Sequence, residues 1–268
     1  MNLDLSGKYA LVCGSTQGIG LAAAVEMANL GATITLCARN WNKISNLVAT
    51  LPARHGQVHD GLIADFEHPG EAAEALAAKL TDKTAVGEQV VYHILVNNTG
   101  GPPAGPLLEA TLAQLQFATQ TQLHAAHLFT QLVVPGMKAA KYGRVINVIS
   151  TSVKQPIAGL GVSNTVRAAV ANWAKTLAGE LGPFGITVNN VLPGATLTER
   201  HHAIVEGKAK ASGQSTEQVE AQLLKAIPAG RFGEPLEVGG AIAFLASPAA
   251  GYINGVSLPV DGGRTGCL

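Results

Sequence analysis

The chain holds 268 residues, 47% of them apolar and only 13% charged, a balance that supplies a large core and excludes wholesale disorder. Its 18 basic residues equal its 18 acidic ones and no basic stripe appears, so neither nucleic acid nor an anionic membrane is an expected partner. No apolar run nears membrane-spanning length and no basic leader precedes an apolar stretch, which sets the expectation of a cytoplasmic protein. Cys13, Cys37 and Cys267 are odd in number and lack metal-ligand spacing, so no metal site is expected.

Apolar runs alternate with helical patterns along the whole sequence. Strands are predicted at 9–13, 33–38, 57–63, 90–97, 144–149, 187–192 and 256–260. Helices are predicted near 19–30, 41–50, 70–86, 111–140, 161–181 and 235–246. Strand and helix repeated in this way predict an α/β fold: one doubly wound domain with a parallel sheet covered on both faces. The segment at about 195–234 is too long for an ordinary connection and is expected to form a substrate lid.

The first strand runs into Gly14-Ser15-Thr16-Gln17-Gly18-Ile19-Gly20, and a helical pattern follows. A glycine-rich turn between strand and helix forms a phosphate cradle, because helix N–H groups and the positive end of the helix dipole face the anion. Glycine at these positions is expected to let the backbone approach a pyrophosphate. A tight turn without a ligand is the alternative reading.

The second strand ends in Cys37-Ala38-Arg39-Asn40, with no acidic residue between Glu26 and Asp60. A free ribose 2′-hydroxyl is usually held by a carboxylate near this point. Arg39, with Lys43 a helical turn on, favours a 2′-phosphate instead, hence NADP(H) over a still possible NAD(H). A solvated loop cation is the alternative for Arg39. The third strand ends in Asp65-Phe66, where Asp65 is expected either at an adenine amino group or as a helix N-cap. The fourth ends in Asn97-Asn98-Thr99-Gly100-Gly101-Pro102-Pro103, a rigid loop at the edge where open α/β sheets bind ligands. Asn97 is expected to tie neighbouring strands, and Thr99 and Gly100 to admit a ribose.

With Pro193-Gly194, Asp261-Gly262-Gly263 and Pro228-Ala229-Gly230-Arg231-Phe232-Gly233-Glu234-Pro235, these motifs make the chain resemble the short-chain dehydrogenase/reductases. The pattern is most similar to the 3-oxoacyl-[acyl-carrier-protein] reductases. The resemblance implies a seven-stranded doubly wound sheet, NAD(P)(H) binding, a small-molecule carbonyl or alcohol substrate, and a homotetramer or homodimer. It also implies that Pro193, Gly194 and Thr196 lie against the nicotinamide carboxamide.

The same resemblance implies a catalytic Asn, Ser, Tyr and Lys, and there this chain departs from the pattern. Ser150 stands where the family serine belongs. Ser163 takes the tyrosine position, Arg167 the lysine position and Gln122 the asparagine position. An alkyl alcohol is a far weaker acid than a phenol, and arginine stays charged and passes no proton on. Arg167 can still hold ribose hydroxyls or a carboxylate by its planar fork. The expected activity is therefore NADP(H)-dependent hydride transfer with an altered catalytic set. A nucleotide-binding sensor without activity and a lyase or epimerase on the same scaffold are the alternatives. His201 and His202 are read as solvated lid residues or as a substitute acid, and His124 and His127 as surface or interface residues.

Overall fold

The structure, a computed structural model, describes residues 1–81 and 90–267. Its strands are β1 (Tyr9–Cys13), β2 (Thr33–Ala38), β3 (Asp60–Ile63), β4 (Ile94–Asn97), β5 (Gly143–Val148), β6 (Ile186–Pro193) and β7 (Ser257–Val260). Its helices are α1 (Gly18–Asn29), α2 (Trp41–Val48), α3 (Pro69–Lys79), α4 (Leu112–Thr119), α5 (Ala125–Ala140), α6 (Gly161–Leu181), α7 (Glu199–Ser212), α8 (Thr216–Lys225) and α9 (Pro235–Ala246). The strands form one seven-stranded sheet in the order β3-β2-β1-β4-β5-β6-β7, and every pairing is parallel.

Successive side chains on a strand face opposite sides, and the core divides accordingly. Ala10 and Val12 of β1 pack with Ala23, Met27, Val238 and Ile242 beneath α1 and α9. Leu11 and Cys13 pack with Phe129, Val133, Ala174 and Ala178 beneath α5 and α6. Both faces of β1 are therefore dry, which is why the strand reads as an unbroken apolar run.

The chain runs outward from β1 to β2 and β3, then crosses back to place β4 on the other side of β1. The strand order reverses at that point, and the crevice above β1 and β4 is where doubly wound sheets take ligands.

Four elements differ clearly from the sequence expectation. Strands predicted at 57–63 and 90–97 start only at Asp60 and Ile94. The residue before each is a histidine whose ring meets the neighbouring strand: His59 Nδ1 accepts from the Ile34 N–H at 3.0 Å, and His93 Nδ1 from the Tyr9 N–H at 3.2 Å. The helix predicted at 111–140 is broken into α4 and α5 by a π-helical turn, Gln120–His124. Thr119 Oγ1 donates back to the Leu115 carbonyl and Thr121 Oγ1 to the Phe117 carbonyl, and such back-bonding bends a helix. Of the helix predicted at 70–86, residues 82–86 lie outside the described residues, and α3 ends at Lys79. The 195–234 excursion contains the pair α7 and α8, which share a small cluster of Val205, Ala209 and Val219. Among the described residues no helix is long and apolar enough to cross a membrane.

Burial, then the charge of Lys8, pulls the His93 pKa down to about 4 from 6.5, which suits a ring that must accept the Tyr9 N–H. Between those two pH values the unfolded chain binds a proton at this position that the folded chain does not. Stability is therefore lost as pH falls from 6.5 toward about 4. His93→Gln keeps an acceptor without titrating, and its melting temperature should fall less steeply across that window. Equal slopes for parent and variant in pH-dependent thermal melts would count against this account.

Candidate active site

The glycine-rich turn is held down by Asn98, at the end of β4. Its Nδ2 donates to the carbonyls of Cys13, at 3.2 Å, and Gly14, at 3.1 Å. A Cβ on Gly14 would sit 2.6 Å from the Asn98 carbonyl oxygen, and one on Gly20 only 2.3 Å from the Gly14 oxygen. The chain's own backbone thus calls for glycine at both positions, a constraint beside the expected approach of a pyrophosphate. Gly18 lies at the surface of the turn, its nearest outside neighbour being Thr198 Cγ2 at 3.2 Å. Gln17 is the exposed N-cap of α1 and makes no side-chain cap, and no acidic residue stands in the first turn. The opening N–H groups of α1 are thus presented outward beside Ile19, as an anion site requires.

Ser15 does not serve that site with its side chain. It is fully buried, and its Oγ accepts from the Cys37 N–H at 2.9 Å, tying the turn to β2. At the end of β2, Arg39 is exposed and pairs with Glu67 at 3.3 Å. Sequence order hid that carboxylate, which arrives from beyond β3. Asn40 is spent as the cap of α2, accepting from the Lys43 N–H at 3.0 Å. Asp65 is not an N-cap: it accepts from the Glu67 N–H at 3.0 Å in a local turn, and α3 begins only at Pro69. Phe66 packs edge-on against Phe129, with ring centroids 5.3 Å apart.

Beneath the crevice runs a row of side-chain amides. Asn97 Nδ2 donates to Asn147 Oδ1 at 2.9 Å, Asn147 Nδ2 to Asn190 Oδ1 at 3.0 Å, and Asn190 Nδ2 to Ser257 Oγ at 3.2 Å. These four residues face one another in register across β4, β5, β6 and β7. Thr99 lines the recess above them, and Gly100 is exposed with nothing within 4 Å of where its Cβ would stand.

Ser150 caps the turn after β5, its Oγ accepting from the Ser152 N–H at 3.0 Å, so its own O–H is directed elsewhere. Ser163 and Arg167 are both buried on α6, one helical turn apart. Arg167 Nη1 donates to the Val148 carbonyl at 2.6 Å, two residues before Ser150. Burial, and secondarily the charge of Arg200, pulls the Arg167 pKa down to about 10, so it remains a cation at neutral pH. Ser163 makes no hydrogen bond among the described residues.

Gln122 comes from the π-helical turn. It is 5% exposed, and neither its Nε2 nor its Oε1 has a partner. It borders a recess of about 20 Å³, room for a water, that is also lined by Asn97, Asn98, Thr99, Ile149 and Arg167. None of the four tyrosines borders it. The structure thus brings together Asn97, Thr99, Gln122 and Arg167, and leaves Arg39 at the far end of the sheet edge.

After β6, Gly194 fits because Asp261 packs 2.7 Å from where its Cβ would stand. Pro193 ends the strand, and Thr196 is buried, bridging to Gly233. Thr198 caps α7, and its Cγ2 stands 3.2 Å from where a Cβ on Gly18 would be, so α7 begins beside the glycine-rich turn. Arg200 Nη1 donates to the Gly101 carbonyl at 3.0 Å and Nη2 to that of Pro102 at 2.7 Å, clasping the start of α7 to the loop after β4. His202 is exposed, but His201 is buried against Phe232, with ring centroids 4.4 Å apart. That corrects the reading of two solvated histidines. Burial lowers the His201 pKa below its ordinary value, which disfavours it as an acid. His124 and His127 are both exposed, and Trp173 Nε1 donates to His127 Nδ1 at 3.3 Å. Among the described residues no three His, Cys, Asp or Glu side chains gather to hold a metal.

Sequence reasoning passed over Asn98, Glu67, Thr198 and Arg200. The Asn97-Asn98 doublet was a usable signal for the first. The others act only through the fold.

A buried amide with both polar ends unpartnered costs stability, about 1–3 kcal/mol per group. Gln122→Leu should therefore raise the melting temperature, by about 2–4 °C for each kcal/mol recovered. A fall on differential scanning calorimetry would show that the amide is satisfied in solution.

The sequence model described as enoyl-(acyl carrier protein) reductase matches residues 14–265. The 3-oxoacyl-[acyl-carrier-protein] reductase of Pseudomonas aeruginosa is 31% identical over 266 residues, covering 97% of this chain and 98% of that protein. The cyclohexanol dehydrogenase of a Rhodococcus species is likewise 31% identical, over 98% of both. The crystal structure of L-sorbose reductase from Gluconobacter frateurii, complexed with NADPH and L-sorbose, superposes with a TM-score of 0.90 at 30% identity and covers all of both chains. Such extended likeness in sequence and fold establishes that this chain belongs to the short-chain dehydrogenase/reductase family of oxidoreductases.

Proposed function

We propose that the protein is an NADP(H)-dependent oxidoreductase that interconverts a carbonyl compound and its alcohol. The observation that carries this reading is the placement of a buried cation, Arg167, and an unpartnered amide, Gln122, at the rim of one recess above the β1–β4 crossover. The uncapped N-terminus of α1 opens onto the same edge of the sheet.

These residues fit a phosphorylated dinucleotide. The outward N–H groups of α1 suit its diphosphate. Arg39 suits the 2′-phosphate, on exchanging Glu67 for a stronger anion. Arg167 is placed to take ribose hydroxyls, and Asn97, Thr99 and Gly100 border the space for that sugar. When bound, the cofactor supplies a hydride to a carbonyl carbon or accepts one from an alcohol.

The chain's own task is to hold the oxygen and manage its charge. Ser150 donates its free O–H to the substrate oxygen, because its Oγ is already turned to the Ser152 N–H. Ser163, without an internal partner, is the second donor. As the carbonyl carbon gains a hydride its oxygen becomes an alkoxide, and Arg167 stabilises that charge without giving up a proton. The proton comes from a water beside Gln122, whose amide offers both a donor and an acceptor. The altered catalytic set thus separates charge stabilisation from proton delivery, which a phenol and an ammonium combine. A homo-oligomer belongs to the same reading, with exposed Leu107, Leu108 and Leu112 as the apolar surface it would cover.

A second reading is a cofactor sensor without turnover, favoured by the lack of any tyrosine at the recess. Two measurements separate the readings. NADPH should bind, and its absorbance should fall with at least one member of a panel of ketones and acyl thioesters. Binding without consumption across the panel would select the sensor, and no binding at millimolar NADPH would end both. Within the first reading, Arg39→Ala should weaken NADPH at least tenfold and leave NADH unchanged in fluorescence titrations.

A further inference from the structure

Two cations flank this site without an acid to balance them: Arg167 lines the recess, and Arg200, exposed, holds the loop that continues from Thr99. Arg167 forms the floor. It is 9% exposed, and among the described residues the one hydrogen bond its side chain makes is to the Val148 carbonyl. Gln122 borders the same recess with both amide ends unpartnered.

Arg200 reaches over from the second residue of α7 to the loop that continues from Thr99, and there its two terminal nitrogens meet the carbonyls of Gly101 and Pro102. Among the described residues the ion pairs join Arg39 to Glu67, Lys79 to Asp60 and Arg231 to Glu237, so neither arginine of the site has a carboxylate. Glu199 is adjacent to Arg200 in sequence, but it is exposed and pairs with neither.

The two guanidiniums act on each other instead: the charge of Arg200 adds to burial in lowering the Arg167 pKa. Both placements run against ordinary preference. A buried guanidinium normally has an anionic partner, and the first turn of a helix favours acids because the helix dipole is positive there. The same positive end of α7 adds to the potential at the mouth.

We propose that the carbonyl substrate carries a carboxylate, which docks on Arg200 at the mouth of the site, on the side toward Arg167. A planar carboxylate matches the guanidinium fork, and Arg200 can turn from the loop carbonyls to it while the segment before α7 stays held by the Thr196–Gly233 bridge. Substrate choice then rests on the charge at one end of the molecule, and the residue that sets it is Arg200. This rests on the hydride-transfer reading only for the identity of the carbonyl, because the anion site itself is readable by binding.

The test pairs keto acids with their methyl esters, using acetoacetate and levulinate as probes. Each is titrated into the NADPH complex of the full chain, followed by the fluorescence of bound NADPH, and each is then assayed for NADPH consumption. The acids should bind at least tenfold more tightly than the esters. Arg200→Gln should erase that preference and Arg200→Lys should retain part of it, with NADPH affinity changed less than twofold in both.

Equal binding of acid and ester by the parent protein, or no binding of either, overturns the proposal without recourse to a variant. Loss of NADPH affinity in Arg200→Gln overturns it too, and assigns the arginine to the cofactor. Tight acid binding with no NADPH consumed leaves the anion site standing and removes the hydride-transfer reading.

Discussion

Asn98 bridges the gap between β1 and β4 by binding two consecutive carbonyls, those of Cys13 and Gly14. That bridge lies where the strand order reverses, between strands that are neighbours in space and far apart in sequence. It draws the glycine-rich turn so close that neither Gly14 nor Gly20 has room for a methyl group. The start of α1 is thereby fixed over the crevice, and with it the direction in which its first N–H groups point. A helix end can take an anion only where packing leaves its N–H groups aimed at open space, and this packing aims those of α1 over the crevice.

From the same strand end the amide row extends the other way. Asn97, Asn147, Asn190 and Ser257 pass hydrogen bonds across four strands, each amide donating to the next. Buried amides left single would weaken the sheet; joined, they are satisfied and lock the relative height of the strands. Ser150 and Pro193, which follow β5 and end β6, inherit that height. A shift of one residue in any of these parallel ladders would turn the amides into the core and the apolar residues toward the crevice.

Much of this was legible from periodicity. Strands β1 and β2 and helices α6 and α9 match their predicted bounds, because their apolar runs are unbroken and their ends coincide with turns or prolines. Less regular elements escaped for local reasons. The π-helical turn depends on threonine hydroxyls competing with backbone donors, which an apolar pattern does not register. The late starts of β3 and β4 come from histidine rings standing in beside the strand edge. Motif spacing singled out Thr99, Gln122 and Arg167, which the fold brings to one recess. It did not show that Ser15 is consumed by β2, that Asn40 is consumed by α2, or that Glu67 meets Arg39, because those are contacts between distant stretches.

The sheet edge shows a division between satisfied and unsatisfied polar groups that bears on function. Every amide in the row has a partner, so the row contributes to the scaffold. Gln122 lacks partners, and Arg167 is buried with one backbone acceptor for five donors. A folded chain tolerates groups of this kind where a ligand completes them, since most other buried polar groups are paired. Under the proposed function their cost falls on the unliganded protein and is recovered on binding. The exchange of an ammonium for a guanidinium follows the same logic. A lysine would be smaller, more readily neutralised by burial and able to hand on its proton, whereas Arg167 keeps its charge at a pKa of about 10 even when enclosed. In the proposed reading, a site built on it stabilises negative charge and leaves the proton to water.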